Sequence, residues 1–194
     1  WERAIASQAD VVIANTELNR QQTVKAFPEA SAKIVSIPNG WEPSDFVDLP
    51  QPPKEGPTTI GYAGSFYPGY QPSAFYKNLR GAVDLSPELK DNLRVSFCGN
   101  THQAEAAAQA GLSQLVHEAG YLPQGEALAH VARSHAVLLV LPDAEGRSGW
   151  VPQKLYIYLR LQRPIIAICP PGEARDILEA AGGRQLILQP SEAR

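Results

Sequence analysis

A chain of 194 residues, 44% hydrophobic and 19% charged, is long enough for a sizeable core and has the composition of a soluble globular protein. Its formal net charge of -3 excludes the basic footprint of a general nucleic-acid binder. No apolar run approaches membrane-spanning length; with no initiator methionine the chain is expected to be a fragment, so the lack of a signal peptide excludes no targeting.

The first 46 residues carry a helix ending near Ala9, a short strand at 11–14, a second helix and a strand at 33–37. Asn15 and Thr16 are both competent caps for that second helix. A helix–strand–helix–strand unit of this size cannot close a core alone, so it reads as the tail of a domain whose beginning is absent. Asp48-Leu-Pro-Gln-Pro-Pro-Lys-Glu-Gly-Pro57 then breaks the pattern; four prolines with little to bury make a linker, placed at 47–57.

From residue 58 the pattern is regular. Short apolar runs fall at 59–62, 94–98, 115–119, 137–141, 165–168 and 185–188, with helical stretches between them, among them 104–110, 126–134 and 172–181. Such alternation predicts an α/β fold with a doubly wound, Rossmann-like parallel sheet of strand order 3-2-1-4-5-6. Cys98 and Cys169 each end a predicted strand and read as buried free thiols, which suits a reducing, cytoplasmic setting.

That order makes the first and fourth strands neighbours, and the ligand crevice opens where the winding reverses. The loops facing each other there are Ala63-Gly-Ser-Phe-Tyr-Pro-Gly69 and Pro142-Asp-Ala-Glu-Gly-Arg-Ser-Gly-Trp150. The second leads into a helix whose first turn holds Pro152, suited to the first helical position, and Lys154. A lysine opposes the dipole at a helix start unless an anion sits there, and free N–H groups make that end a phosphate site. Taken alone Lys154 reads as a surface lysine; the topology is what draws it toward Gly64 and Ser65.

Other motifs are thinner. Gly61, Gly64 and Gly69 do not form a dinucleotide fingerprint, and neither a P-loop nor a nucleophile elbow is present. His102, His117, His130 and His135 lack metal-ligand spacing, so no metal is expected. Asp143 and Glu145 are acids in the fourth-strand loop, where solvated acids are commoner than catalytic ones. Gly120-Tyr-Leu-Pro123 reads equally as a turn or as a border for a planar base.

Ala9-Asp-Val-Val-Ile-Ala-Asn-Thr-Glu17, Ile34-Val-Ser-Ile-Pro-Asn-Gly40, Tyr62-Ala-Gly-Ser-Phe66, Gly120-Tyr-Leu-Pro123, Val151-Pro-Gln-Lys-Leu-Tyr156 and Arg163-Pro164 occur in that order. Together they resemble the C-terminal half of a group 1 (family 4) glycosyltransferase of the GT-B architecture. The resemblance implies that residues 1–46 finish an acceptor-side domain and that 58–194 hold a nucleotide-sugar donor, a substrate rather than a cofactor. It places Gly64 and Ser65 beside the donor phosphates, and Gly120, Tyr121 and Leu122 beside the base. Gly149, Trp150, Val151 and Lys154 would meet the diphosphate. The family's glutamate pair should fall at 149 and 157, but this chain has Gly149 and Ile157. An isoleucine cannot accept hydrogen bonds from a ribose, so Ile157 would leave that edge of the donor site apolar.

The expected activity is therefore transfer of a sugar, with retention, to a saccharide or lipid-linked acceptor. Lys154 and then Arg147 are the expected charges on the leaving diphosphate. A nucleotide-sugar epimerase of the same fold and a non-catalytic binding module are the alternatives. The fragment alone is expected to be inactive, and any membrane association would run through the missing N-terminal domain.

Overall fold

The structure is a computed structural model that describes residues 1–66, 72–143 and 147–190. Its first part holds α1 (Glu2–Gln8), β1 (Val12–Ala14), α2 (Glu17–Ala26) and β2 (Ile34–Ser36), with β1 and β2 paired in parallel. Thr16 is the cap of α2; its hydroxyl oxygen accepts from the Asn19 N–H at 3.1 Å, which satisfies one orphan donor of the first turn. The helices cover one face of this small sheet with a core of Ala6, Ala30 and Ile34. Alternate residues point to opposite faces of a strand, and the other face leaves Val11, Ile13, Val35 and Ile37 exposed.

The chain then crosses to the second part through a short 3-10 turn at Pro43–Phe46. The stretch expected as a linker is largely exposed but is held at a few points. Phe46 and Leu49 lie against the core of the second part, the Gln51 amide oxygen accepts from Arg163 at 2.7 Å, and the Pro53 carbonyl lies 3.0 Å from Nε2 of His135. His135 also accepts from the Thr59 N–H through Nδ1, so this histidine fastens the incoming chain to the first strand of the large sheet.

That sheet has six parallel strands: β3 (Thr58–Ala63), β4 (Leu93–Cys98), β5 (Val116–Glu118), β6 (Ala136–Val140), β7 (Ile165–Ile168) and β8 (Gln185–Leu188). They lie in the order β5-β4-β3-β6-β7-β8, the doubly wound order expected from the sequence. The connecting helices are α3 (Ser73–Leu85), α4 (Leu89–Asn92), α5 (Ala104–Gln109), α6 (Gln124–Ala132), α7 (Gln153–Leu161) and α8 (Glu173–Ala181).

Strand β6 shows why both faces are covered. Leu138 and Val140 join one core with Phe75, Leu79 and Val83 of α3, whereas Val137 and Leu139 join another with Leu128 of α6, Leu155 of α7 and Leu178 of α8. A continuous apolar run thus serves two layers of helices at once. Each fully buried aliphatic side chain contributes about 1.5–3 kcal/mol relative to exposure, so the central strands anchor the fold.

Both ends of α7 depart from the simplest expectation. Pro152 is the N-cap of α7, with extended backbone at ψ 149, rather than its first residue. A proline accepts this extended state readily, and its carbonyl takes the Leu155 N–H at 3.1 Å to close the first turn. At the other end Gln162 occupies the left-handed region at φ 54, where glycine is the usual residue, and Arg163-Pro164 prevents the helix from continuing.

Candidate functional site

The carboxyl ends of β3 and β4 nearly touch. The Gly64 N–H donates to the Cys98 carbonyl at 2.9 Å, and the Gly99 N–H donates to Gly120 at 2.7 Å, linking the ends of three neighbouring strands. A Cβ on Gly99 would lie 2.1 Å from the Gly64 carbonyl oxygen, and one on Gly64 would lie 2.5 Å from Nζ of Lys154. With φ at 139 degrees for Gly64 and 110 for Gly99, both positions need glycine on conformational grounds as well. The backbone is bared where the winding reverses.

Lys154 reaches this place from α7. Its Nζ donates to the Tyr62 hydroxyl at 2.8 Å and lies 4.1 Å from the centre of that ring. No carboxylate is within ion-pair distance of it among the described residues. Burial lowers its pKa to about 8, because the charged form is the one that loses hydration. Burial likewise raises the neighbouring Cys98 thiol to about 11, so no thiolate offsets the ammonium at neutral pH. Cys98 and Cys169 are both buried and free, as the sequence suggested.

Beside Gly64 and Lys154 opens a hollow of about 240 Å³, walled by Ile157 of α7, Gln124 of α6, and Trp41, Glu42, Asp45 and Phe46 of the crossing segment. Arg160 of α7 lies 4.9 Å over the Trp41 ring and 5.3 Å over Phe46, which pins that segment along the helix. Ile157 faces the hollow and also packs against the adjoining apolar core, so it belongs to the site and to the core at once. A larger hollow of about 540 Å³ lies around residues 162–165 and 181–185, where β7 and β8 begin. Ligands of doubly wound sheets bind at the opposite, carboxyl end, and the smaller hollow is the one that meets the topological and electrostatic conditions.

The remaining expected residues fall elsewhere. Arg147 does not join Lys154; it lies 5.1 Å over the Trp150 ring and lines a separate hollow of about 380 Å³ with Asn19 and Gln22. Gly149 and Val151 face the first part of the chain. The Gly149 carbonyl accepts from the Thr16 hydroxyl at 2.7 Å, and the Val151 carbonyl accepts from the side chains of Asn15 and Asn39 at 3.1 and 3.3 Å. A Cβ on Gly149 would lie 2.9 Å from the Asn19 amide nitrogen, so the glycine there permits a close join. Ser65 follows Gly64, and its carbonyl lies 3.5 Å from the Tyr62 hydroxyl.

Gly120, Tyr121 and Leu122 follow edge strand β5 and do not line the Lys154 hollow; Tyr121 is 85% exposed. Asp143 is exposed, while Glu145 and Gly69 lie outside the described residues. His130 is partly buried near the Ser96 carbonyl, and desolvation lowers its pKa.

Three participants carried no sign of their role in the sequence: Tyr62, which opens a motif but in a strand looks like ordinary core; Gly99; and Glu173. The Glu173 carboxylate accepts from the backbone N–H groups of Glu17 at 3.0 Å and Leu18 at 2.8 Å, capping α2 from the start of α8. A second acid, Glu118, does similar work locally. Burial opposes its ionisation, yet bonds from the Thr101 hydroxyl and the Gln103 and Ala104 N–H groups hold its pKa below the usual value.

No protein-family model matches the chain, and no curated protein does. Solved structures do. A variant of S. aureus TarM in complex with fondaparinux, alpha-GlcNAc-glycerol and UDP is 15% identical, with a TM-score of 0.66 over 97% of this chain and 36% of that one. WaaG, a glycosyltransferase involved in lipopolysaccharide biosynthesis, is 16% identical, with a TM-score of 0.66 over 93% of this chain and 50% of that one. A glycosyltransferase from Rickettsia africae is 12% identical, with a TM-score of 0.67 over 99% of this chain and 53% of that one. The chain thus spans between about a third and a half of the structures it matches. What is shared at these identities is architecture: the chain has the fold of the C-terminal half of the GT-B glycosyltransferases.

Proposed function

We propose that this chain is the donor-binding portion of a glycosyltransferase that uses a nucleotide sugar, with the diphosphate seated against Lys154 and the adjoining backbone of Gly64 and Ser65. One observation carries the reading: a partly buried ammonium, with no carboxylate partner among the described residues, set against bared backbone where the winding reverses. A buried charge calls for a counter-charge, and an anionic ligand would provide one.

In the reaction so proposed, the bond from the sugar's anomeric carbon to the diphosphate oxygen breaks and its electron pair leaves with the diphosphate. The acceptor hydroxyl oxygen bonds to that carbon on the face from which the diphosphate departs, and its proton passes to the departing diphosphate oxygen. Lys154 stabilises the charge gathering on the leaving oxygens, while the hollow holds donor against acceptor. We take the transfer to be retaining, without a protein carboxylate as nucleophile, and the acceptor to be a saccharide or a lipid-linked saccharide. The UDP in the TarM structure and the lipopolysaccharide pathway of WaaG support this substrate class. Arg147 belongs to this proposal only as a second charge, since it lines a different hollow.

The test is calorimetric titration of the chain with UDP, GDP and ADP. Lys154→Ala is expected to weaken the best binder about ten- to a hundred-fold, the range for losing a charge-assisted hydrogen bond. Unchanged affinity would return Lys154 to a structural role and remove the basis of the reading.

A further inference from the structure

Tyr62 sits in the middle of the large sheet with 0% exposure. Its ring stacks on Phe66 at 4.5 Å and 13° and lies 5.7 Å from Phe97. A phenol so deep in a core needs a partner for its hydroxyl. Here the hydroxyl meets Lys154 Nζ at 2.8 Å on one side and the Ser65 carbonyl at 3.5 Å on the other. An ammonium has no lone pair, so Lys154 donates to the Tyr62 oxygen, which leaves the hydroxyl hydrogen to point at Ser65. The phenol, ninety-two positions from Lys154 in sequence, thereby joins a cation from α7 to the loop after β3.

We infer that Tyr62 is a positioning residue for anion binding, its hydroxyl holding the Lys154 ammonium beside Gly64 and tying it to the Ser65 backbone. This rests on the proposed donor site. Without the hydroxyl the ammonium would keep the ring face but lose its fixed direction, and Ser65 would lose its link to the cation. The hydroxyl also favours the charged lysine by accepting from it. Removing it should therefore depress further a pKa that burial has already lowered to about 8. The other titratable or charged groups facing this lysine are Cys98 of β4, Tyr158 of α7, and Glu42 and Asp45 at the rim of the hollow.

The experiment uses Tyr62→Phe, which preserves the stacked ring, with UDP and inorganic pyrophosphate as probes, titrated by calorimetry between about pH 6.5 and 9.5. Diphosphate binding favours protonated Lys154, so affinity falls as pH rises through the lysine's free-state pKa. Tyr62→Phe should weaken binding at pH 7 by roughly three- to ten-fold, the range for one hydrogen bond, and move the decline to lower pH. Added to Lys154→Ala, it should have no further effect on affinity. Phe66→Leu, which loosens the stack but keeps the hydroxyl, should lower the melting temperature and leave the pH of the decline in place.

If Tyr62→Phe only lowers the melting temperature, or if Phe66→Leu shifts the decline equally, Tyr62 is core and nothing more. If Lys154→Ala leaves pyrophosphate and UDP affinity intact, the donor-site reading itself fails, whatever Tyr62 does.

Discussion

The two sheets of this chain are built from the same parallel strands but are stabilised differently. In the large sheet, β6 buries Leu138 on one face and Leu139 on the other, and both are 0% exposed. In the small sheet Ile34 is buried under α1 and α2, whereas Ile13 on the opposite face is 62% exposed. Parallel strands are normally covered on both faces, so the small sheet draws less from apolar burial and more from its attachments. Those attachments are polar: Thr16 to Gly149, Asn15 and Asn39 to Val151, and Glu173 to the first N–H groups of α2. Burial thus anchors one region, and hydrogen bonds moor the other to it.

The largest test of that contrast is Leu139→Ala. A cavity in the central strand should cost about 2–5 kcal/mol, seen as a lower denaturation midpoint for β3–β8 by circular dichroism. A loss below about 1 kcal/mol would mean that the large sheet does not depend on its middle strand. Glu173→Ala addresses the moorings and should cost about 0.5–2 kcal/mol, as removal of a helix cap does. Amide exchange should quicken across residues 12–36 and stay unchanged at 165–168. Equal quickening in both would erase the distinction between regions. The smallest effect is expected from Ile13→Ser, within about 0.5 kcal/mol in denaturant titration, as for an exposed site. A clear loss of stability would show that this face is packed after all.

How far the sequence could be read follows the same division. The run at 165–168 coincides with β7 because a buried parallel strand writes itself as consecutive apolar residues, whereas 185–188 coincides with β8 at the sheet edge, where Leu186 stays exposed. Strand order alone then brings Gly64 and Lys154 together. The moorings were illegible, since Thr16 and Gly149 are 133 positions apart and each also reads correctly as something local, a cap and a loop glycine. Tyr62 was hidden for the opposite reason: its ring satisfies the pattern of a core strand, and nothing in that pattern says which way its hydroxyl points. Arg147 was grouped with Lys154 because one loop and one helix start separate them in sequence, yet the turn at 148–152 directs them to different hollows.

The carboxylate of Glu173 has a mechanical consequence. It accepts from backbone N–H groups that water can serve nearly as well, and the side chains of Thr16, Asn15 and Asn39 donate to the Gly149 and Val151 carbonyls, which water can serve too. Exchanging such bonds for water changes the free energy by only about 1 kcal/mol each, whereas parting an apolar seam of equal extent would expose oily surface. A seam of this composition therefore costs less to loosen than an apolar one would. Its donors and acceptors, each with one direction to satisfy, fix the angle at which the two parts meet.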